Sequence, residues 1–540
     1  MKTNMTFDYI IVGTGPAGAV LAKELSDNKR TSVLVLEAGN NHDKDIPISD
    51  STFAPELEEN FSPQYFWQGK GIPQTGLDDR SFEWTTGRLA GGGSSINGEQ
   101  YVRPTQEVMR NWETLLGILW SPENETKRFK RLERYNGETT NKNARGYHGR
   151  IDIRQAPKNP TTMAEKLTTA MERATGFPKI DDYNDPDTPL GPFTRWQLYQ
   201  KRSGQRVSAS TAFLSSDIVT PKGHGVFGRK LTVLYNTTVV RILFDNRSAI
   251  GVQFLEEGKC VKALARKKVI VSAGINSAQL LMLSGIGPAF TIRKAGIPLI
   301  FNNPNVGKRL KNHTLNSASF SINKKDRALP ADDPNALYTG GAFLPDPTGK
   351  DSHRRAVQLI GIGSDDQLNI AVIYLRPKSA GNIVIQSKDP LNIVLADEGF
   401  LQNPEDMEAV KNIFKIYIKD IAAELAKIDS SYQLVSPDLA TIENEERLEA
   451  FIKENFDHNH HQQSFLRMAP LSKGGVVDRF GKVHGVKNLI VADASIIPFT
   501  VDGNTSAAAY LIGYTIARHL LGTPRRKKKS QPLLLDWEEE

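Results

Sequence analysis

A glycine-spaced turn between two apolar runs limits what this chain can fold into more than any other feature. The run Tyr9 to Val12 reads as a buried strand. Gly13, Gly15 and Gly18, with Pro16 and Ala17 between them, then form a GxGxxG pattern at the head of an Ala/Leu-rich helical stretch. A second β-type run, Thr31 to Leu36, ends on Glu37 and Ala38, with Glu37 19 residues past the last glycine. Strand, turn, helix, strand, acid is the order of a βαβ unit. Its bare turn admits a pyrophosphate, its helix N-terminus attracts the charge, and its acid holds a ribose hydroxyl. The pattern predicts α/β architecture and a dinucleotide, FAD or NAD.

At 540 residues the chain is too long for one compact core, so two domains are expected. A net charge of +7 is a small excess over this length, and no basic stripe runs through the body of the chain, so no nucleic-acid partner is expected. The conspicuous charge run is the segment 525–529, Arg-Arg-Lys-Lys-Lys, followed by an acidic end; residues 523–540 read as a solvated tail. Cys260 is the single cysteine, so no disulfide forms within the chain. No apolar run is long enough for a transmembrane segment and none resembles a signal peptide; the cytoplasm is the expected compartment.

Glycine-rich, cofactor-type segments alternate with polar, loop-rich ones. Residues 105–204 carry helical stretches near Glu107 to Leu116 and Thr162 to Thr175. Residues 313–456 carry strand-like runs at Asn369 to Tyr374 and Asn382 to Gln386, and an amphipathic helix with Val410, Ile413, Phe414, Tyr417, Ile421 and Leu425 on one face. Strand patterns also mark Leu231 to Phe244, Ala249 to Phe254, Lys268 to Ser272 and Asn488 to Ala492. A last helix is expected from about Thr505 to Leu521 with Asn504 as its N-cap. The expected division is a discontinuous nucleotide domain (1–104, 205–312, 457–522) with a second domain (105–204, 313–456) inserted into it twice.

Four further stretches, in order, resemble the glucose–methanol–choline (GMC) oxidoreductases. They are Gly87 to Gly98 with Tyr101 and Arg103; Ser272 to Gly287; Asn305 to His313; and a C-terminal block of His461 to Met468, Gly474 to Asp478, Val491 to Ser495 and Gly503 to Thr505. The resemblance implies a Rossmann-like FAD-binding domain and a substrate-binding domain built on an antiparallel or mixed sheet with helices. It also implies a small-molecule alcohol as substrate and O2 or a quinone-type carrier as electron acceptor. The run Gly91 to Ser95 offers the flexible, uncluttered backbone that lets a chain lie flat along a flavin. By resemblance Arg88, Gly92, Gly93, Ser94, Asn97 and Gly98 line the cofactor. Asp493 helps hold its ribityl–pyrophosphate region, Ala494, Asn504 and Thr505 also bind it, and Val239 lies near the adenine, although Val239 also reads as an ordinary strand residue. Ile96 stands where some members carry a covalently attached histidine, so FAD is expected to be noncovalent. A metal site is not expected.

The resemblance puts the catalytic histidine at His461, seven residues before Met468, and its partner at Asn504; His460 and His458 are the rival registers. Oxidising an alcohol removes a hydroxyl proton and a carbon-bound hydride. A histidine near neutral pKa suits the first task and the flavin N5 takes the second. Asn504 is expected to hydrogen-bond the hydroxyl, and the helix N-terminus beside it to favour charge building on the flavin. This chain departs from the family's His-Pro-x-Gly-Thr: it reads His461-Gln-Gln-Ser464-Phe465, so the loop beside the flavin is where its shape is least prescribed. Ala278 and Asn312 replace the usual proline and aspartate. The leading expectation is an FAD-dependent alcohol oxidase or dehydrogenase. The alternatives are a flavin-containing lyase or a catalytically impaired flavin-binding protein on the same scaffold, and, on cofactor, an NAD enzyme.

Overall fold

The computed structural model of the chain describes residues 5–56 and 63–522; the charged tail singled out above lies outside the described residues. The strand Met5–Val12 pairs in parallel with Val33–Leu36 on one side and with Lys259–Val271 on the other. Its last four residues are buried, as a central parallel strand covered on both faces requires. Val33–Leu36 carries Leu231–Leu234, and Lys259–Val271 carries Leu489–Val491, both in parallel. An antiparallel run through Ser248–Glu256 to Thr237–Asp245 completes a seven-stranded sheet. The helices Pro16–Asp27 and Ser506–Leu521 cross so closely that a Cβ on Gly513 would stand 2.6 Å from the Ala17 Cα. The starts of both helices, Gly15 to Ala17 and Thr505 to Ser506, stand beside Val12 and Leu36 at the carboxyl edge of the parallel strands, where open α/β sheets place their ligands.

A second seven-stranded sheet is antiparallel. Its order is Leu434–Ser436, Thr314–Phe320, Leu368–Tyr374, Val357–Gly363, Gly341–Leu344 and Gly191–Phe193, with Asp457–His458 on the second of these. Alternation sorts its side chains to two faces. Leu359, Val372, Ile370 and Ala318 join a core with the helix Thr162–Thr175 and the helical run of Pro404–Asn412, Ile413–Ile418 and Lys419–Ile428. The amphipathic pattern at Val410 to Leu425 is therefore the face that covers this sheet. Leu315, Ile360, Ala371 and Ile373 occupy the opposite face, toward a cavity shared with the parallel sheet.

Two local expectations are corrected. The strand pattern Leu231 to Phe244 is two strands, broken at Tyr235–Asn236, where Asn236 takes φ 53° and donates its N–H to Gly39 O at 2.9 Å. Asn504 is not the N-cap of the last helix: Thr505 holds that place without a side-chain capping bond, because the Asn504 amide is engaged sideways. Among the described residues no helix is long and apolar enough to cross a membrane.

Candidate active site

A cavity of about 550 Å3 lies between the carboxyl edge of the parallel sheet and the apolar face of the antiparallel one. Its lining brings together Gly13, Gly15, Pro16, Ala17, Glu37, Ala38, Gly92, Gly93, Ser94, Asn97, Gly98, Val239, His461, Asp493, Ala494, Asn504 and Thr505. Two residues expected among them are placed elsewhere. Gly18 packs into the fold instead: a Cβ there would meet Gly13 O at 2.2 Å, so this glycine allows helix and turn to touch. Arg88 turns its guanidinium over the Trp67 ring, 4.7 Å from the centroid, outside the lining.

One end of the cavity is backbone. Gly13 takes φ 95°, and a Cβ would stand 2.4 Å from Ser272 O. Gly15 caps the helix without a side chain, and a Cβ on it, or on Gly93, would meet nothing within 4 Å. Gly92 lies directly over Gly15, a Cβ there being 3.0 Å from the Gly15 Cα. The Glu37 carboxylate, buried and raised in pKa by that burial, accepts from Thr14 N at 2.9 Å, Thr14 Oγ1 at 2.6 Å and Gly39 N at 2.9 Å. Glu37 lines the cavity at the end of the second strand, the place where the βαβ order sets an acid against a ribose. Asp493 is more fully used: it accepts from Gly274 N at 3.1 Å, from Ser277 Oγ at 2.6 Å and from both Ser495 N and Ser495 Oγ. Asp493 thus fixes the wall of the cavity. A bulge between Val239 and Arg241 opens the ladder of the edge strand where Val239 lines the space. An uncapped helix start, a bare-backbone floor and an acid at the next strand's end fit an extended dinucleotide.

The other end is side chain. His461 Nε2 lies 3.2 Å from Asn504 Nδ2. Asn504 Nδ2 also donates to Gln100 Oε1 at 3.0 Å, and its Oδ1 accepts from Gln358 Nε2 at 3.3 Å. Behind His461 stands His313, fully buried, with Nδ1 2.9 Å from His461 Nδ1 and Nε2 2.9 Å from Val501 O. A carbonyl only accepts, so His313 Nε2 carries the hydrogen and its Nδ1 the lone pair. His461 Nδ1–H must then be the donor to His313, which leaves the His461 Nε2 lone pair facing Asn504 and the cavity. Burial lowers the His461 pKa well below its usual value, helped by the neighbouring His313 and His460; burial likewise pushes His313 down to about 4. His461 is therefore an uncharged base with one defined tautomer.

The departing loop is firmly held. His461 N donates to Asn312 Oδ1 at 2.9 Å. Gln463, fully buried, exchanges both backbone bonds with Lys311, accepts from Val501 N at 3.0 Å and donates to His461 O at 3.3 Å. One glutamine thus ties His461 to the same Val501 that orients His313. The buried Glu398, raised by burial to about 7, accepts from Asn312 and Gln462 on the outer side of this loop. His460 also lines the cavity, while His458 turns to Phe82, 5.8 Å between ring centroids; neither meets Asn504. Sequence reading placed His313 in a motif without giving it work, and passed over Gln100, Gln358, Gln463 and Glu398. The available signal for His313 was only its place at the motif's end.

Comparisons with known proteins place the chain in a family. The family models for GMC oxidoreductase match residues 7–315 and 377–513. Mouse mitochondrial choline dehydrogenase is 28% identical, covering 98% of this chain and 91% of its own length. An alcohol dehydrogenase [acceptor] of Pseudomonas putida is 30% identical, covering 95% of each chain. Among solved structures, pyridoxine 4-oxidase from Mesorbium loti superposes with a TM-score of 0.84 at 22% identity, covering 95% of this chain and 99% of its own, a likeness of fold.

Proposed function

Because this chain belongs to the GMC oxidoreductase family, whose cofactor is FAD, we propose that it oxidises the CH–OH group of a small alcohol with His461 as general base. The observation that carries the reading is the relay Val501 O, His313, His461, which leaves an unprotonated Nε2 opposite the Asn504 amide. The glycine floor from Gly13 to Pro16 and Gly92 to Gly93 would hold the cofactor, with Glu37 at its ribose and Val239 near its adenine. Ile96, which lines the cavity, has no group able to bond a flavin covalently at that position, so FAD would be held there noncovalently. When bound, FAD supplies the acceptor for the hydride leaving the carbinol carbon.

A substrate hydroxyl replaces Asn504 Nδ2 as the donor to His461 Nε2 and in turn accepts from that amide. His461 takes the hydroxyl proton as the carbinol C–H leaves with its electron pair, and the product is an aldehyde or ketone. The imidazolium so formed keeps its Nδ1–H on the His313 lone pair, which steadies the added charge. The N-terminus of Ser506–Leu521, with Asn504, Thr505 and Ser506 in the lining, favours negative charge building across the cavity. The electrons leave to O2 or to a quinone-type carrier.

The test is the visible spectrum of the FAD-loaded protein, taken without oxygen before and after primary and aromatic alcohols are added. Bleaching of the flavin bands by one alcohol class is the expected result, and the rate of recovery in air separates oxidase from dehydrogenase. Bands unchanged by every alcohol would turn the reading toward a lyase or a catalytically impaired protein. The activities named for the relatives, choline and an unspecified alcohol, leave the charge of the substrate open.

A further inference from the structure

We propose that the substrate is an uncharged alcohol with an apolar body, and that the cavity selects against quaternary-ammonium alcohols. This rests on the alcohol-oxidation reading above and adds the chemistry of the wall. The side chain of Gln358 joins the antiparallel sheet to the catalytic pair, bonding Asn504 and Gln100, both at 3.3 Å. The substrate carbon skeleton must therefore lie along the same face of that sheet. Ile360 stands two residues from Gln358 on that face, Ile373 pairs directly across from Gln358, and Ala371 pairs across from Ile360. Leu315, two residues past His313, is half-buried on the neighbouring strand, and Ile362, at 42% exposure, continues the strip outward. These five aliphatic side chains line the cavity on the sheet that carries Gln358.

A quaternary ammonium has no N–H to donate. It is held by a carboxylate facing it or by several aromatic faces around it. Among the described residues lining the cavity, the carboxylates are Glu37, Glu99 and Asp493, and none is available. Glu37 and Asp493 serve the cofactor end. Glu99 is fully buried, paired with Arg206 at 3.1 Å and bonded by Ser51 at 2.9 Å. Glu398 lies outside the lining, engaged by two amides. The aromatic rings are no cage either. Trp67 already carries the Arg88 guanidinium, and Phe66, although in the lining, is 5% exposed and packed with Ile48, Tyr65 and Leu89. Tyr338 donates its hydroxyl to Gly98 O at 2.7 Å and stands as a single ring. A cation entering here loses water and gains no partner, whereas an alkyl or aryl body loses nothing it needs.

The experiment compares choline with 3,3-dimethylbutan-1-ol, its uncharged carbon isostere. Binding is read from the fast perturbation of the flavin absorption in the FAD-loaded His461→Ala variant, before its slowed reduction sets in. Flavin reduction is read in the FAD-loaded wild-type protein without oxygen. The isostere is expected to bind about tenfold or more tighter than choline, and to reduce the flavin with the higher rate constant per molar. Leu315→Glu is expected to raise choline affinity relative to the isostere by about tenfold. Choline binding as tightly as the isostere, no binding of either, or a preference that Leu315→Glu leaves unmoved would each overturn the inference. If the binding preference holds while no alcohol of the panel reduces wild-type flavin, the apolar wall stands and the alcohol-oxidation reading falls.

Discussion

The two ends of the cavity are built by opposite means. The dinucleotide end is backbone: Gly13, Gly15, Gly92 and Gly93 do their work by having no side chain, and they come from two short stretches. The reactive end is side chain: His313, His461, Asn504, Gln100, Gln358 and Gln463 meet from five separate segments of the chain through single hydrogen bonds. Bare backbone tolerates no added atoms but needs no partners. A side-chain network tolerates added space but fails if one member loses its orientation. The first kind of site breaks by steric filling and the second by deletion, and variants can separate the two.

The largest effect is expected from deleting the base. His461→Ala should lower the rate of flavin reduction by about 10²- to 10⁴-fold in anaerobic stopped-flow while leaving FAD bound. Equal loss of FAD would show that the two ends are not independent. The pH dependence follows from the direction of the shift. Burial holds the His461 pKa well below its usual value of 6.5, so the base form is already complete at pH 6.5. The reduction rate should be flat above that pH and fall only on the acid side. A rate still rising between pH 6.5 and 8 would contradict an uncharged, buried His461.

At the backbone end a pair of variants sharpens the contrast. Gly13→Ala forces a Cβ to 2.4 Å from Ser272 O at φ 95°, so it should cost more than about 2 kcal/mol of stability in denaturant melts. Gly15→Ala meets nothing within 4 Å and has φ −60°, so the fold should be unchanged while the added methyl enters the cofactor space. FAD affinity should drop by roughly ten- to a hundredfold with little change in Tm. If Gly15→Ala binds FAD normally, the cofactor does not lie against this turn.

His313 tests the network itself. His313→Leu removes the acceptor that fixes the His461 tautomer, and should lower kcat by about 10- to 100-fold with a small change in KM. His313→Gln can donate to Val501 O and accept from His461 Nδ1–H, so it should recover much of the loss. A leucine variant that is merely unstable would lose both parameters and would not be rescued by glutamine.

The same contrast explains what sequence made legible. The βαβ order, the helices at Glu107 to Leu116 and Thr162 to Thr175 and the long amphipathic run were readable because each rests on local periodicity or on glycine spacing. The helix Pro122–Leu132 was not, because only Phe129 and Leu132 of its apolar side chains are large and buried, and its charged residues hide the period. At the site, the motif positions at Gly13 to Ala17, Gly92 to Ser94 and Ile96 to Gly98 fall in the lining. Arg88 and Gly18 do not, since neighbours inside a motif can serve packing as readily as binding. Gln100, Gln358 and Gln463 left no trace in the sequence: a glutamine becomes part of a site only through partners that are distant along the chain.

The smallest predicted effect lies where the loop departs from its relatives' pattern. Ser464 occupies the place at which the resemblance leads one to expect glycine, and its backbone takes φ 72°. An L side chain in the left-handed region costs roughly 1 kcal/mol or more, and the Ser464 hydroxyl is buried without a partner among the described residues. Gln463 compensates by holding the adjoining backbone to Lys311, Val501 and His461. Ser464→Gly should therefore raise stability by about 1 kcal/mol without altering the reduction rate. Gln463→Ala in the same background should undo more than that gain and slow reduction, because it frees both His461 O and Val501 N. If Ser464→Gly instead changes the rate, then the strained serine, and not the glutamine, sets the position of His461. The reactive end would then depend on backbone geometry, just as the dinucleotide end does.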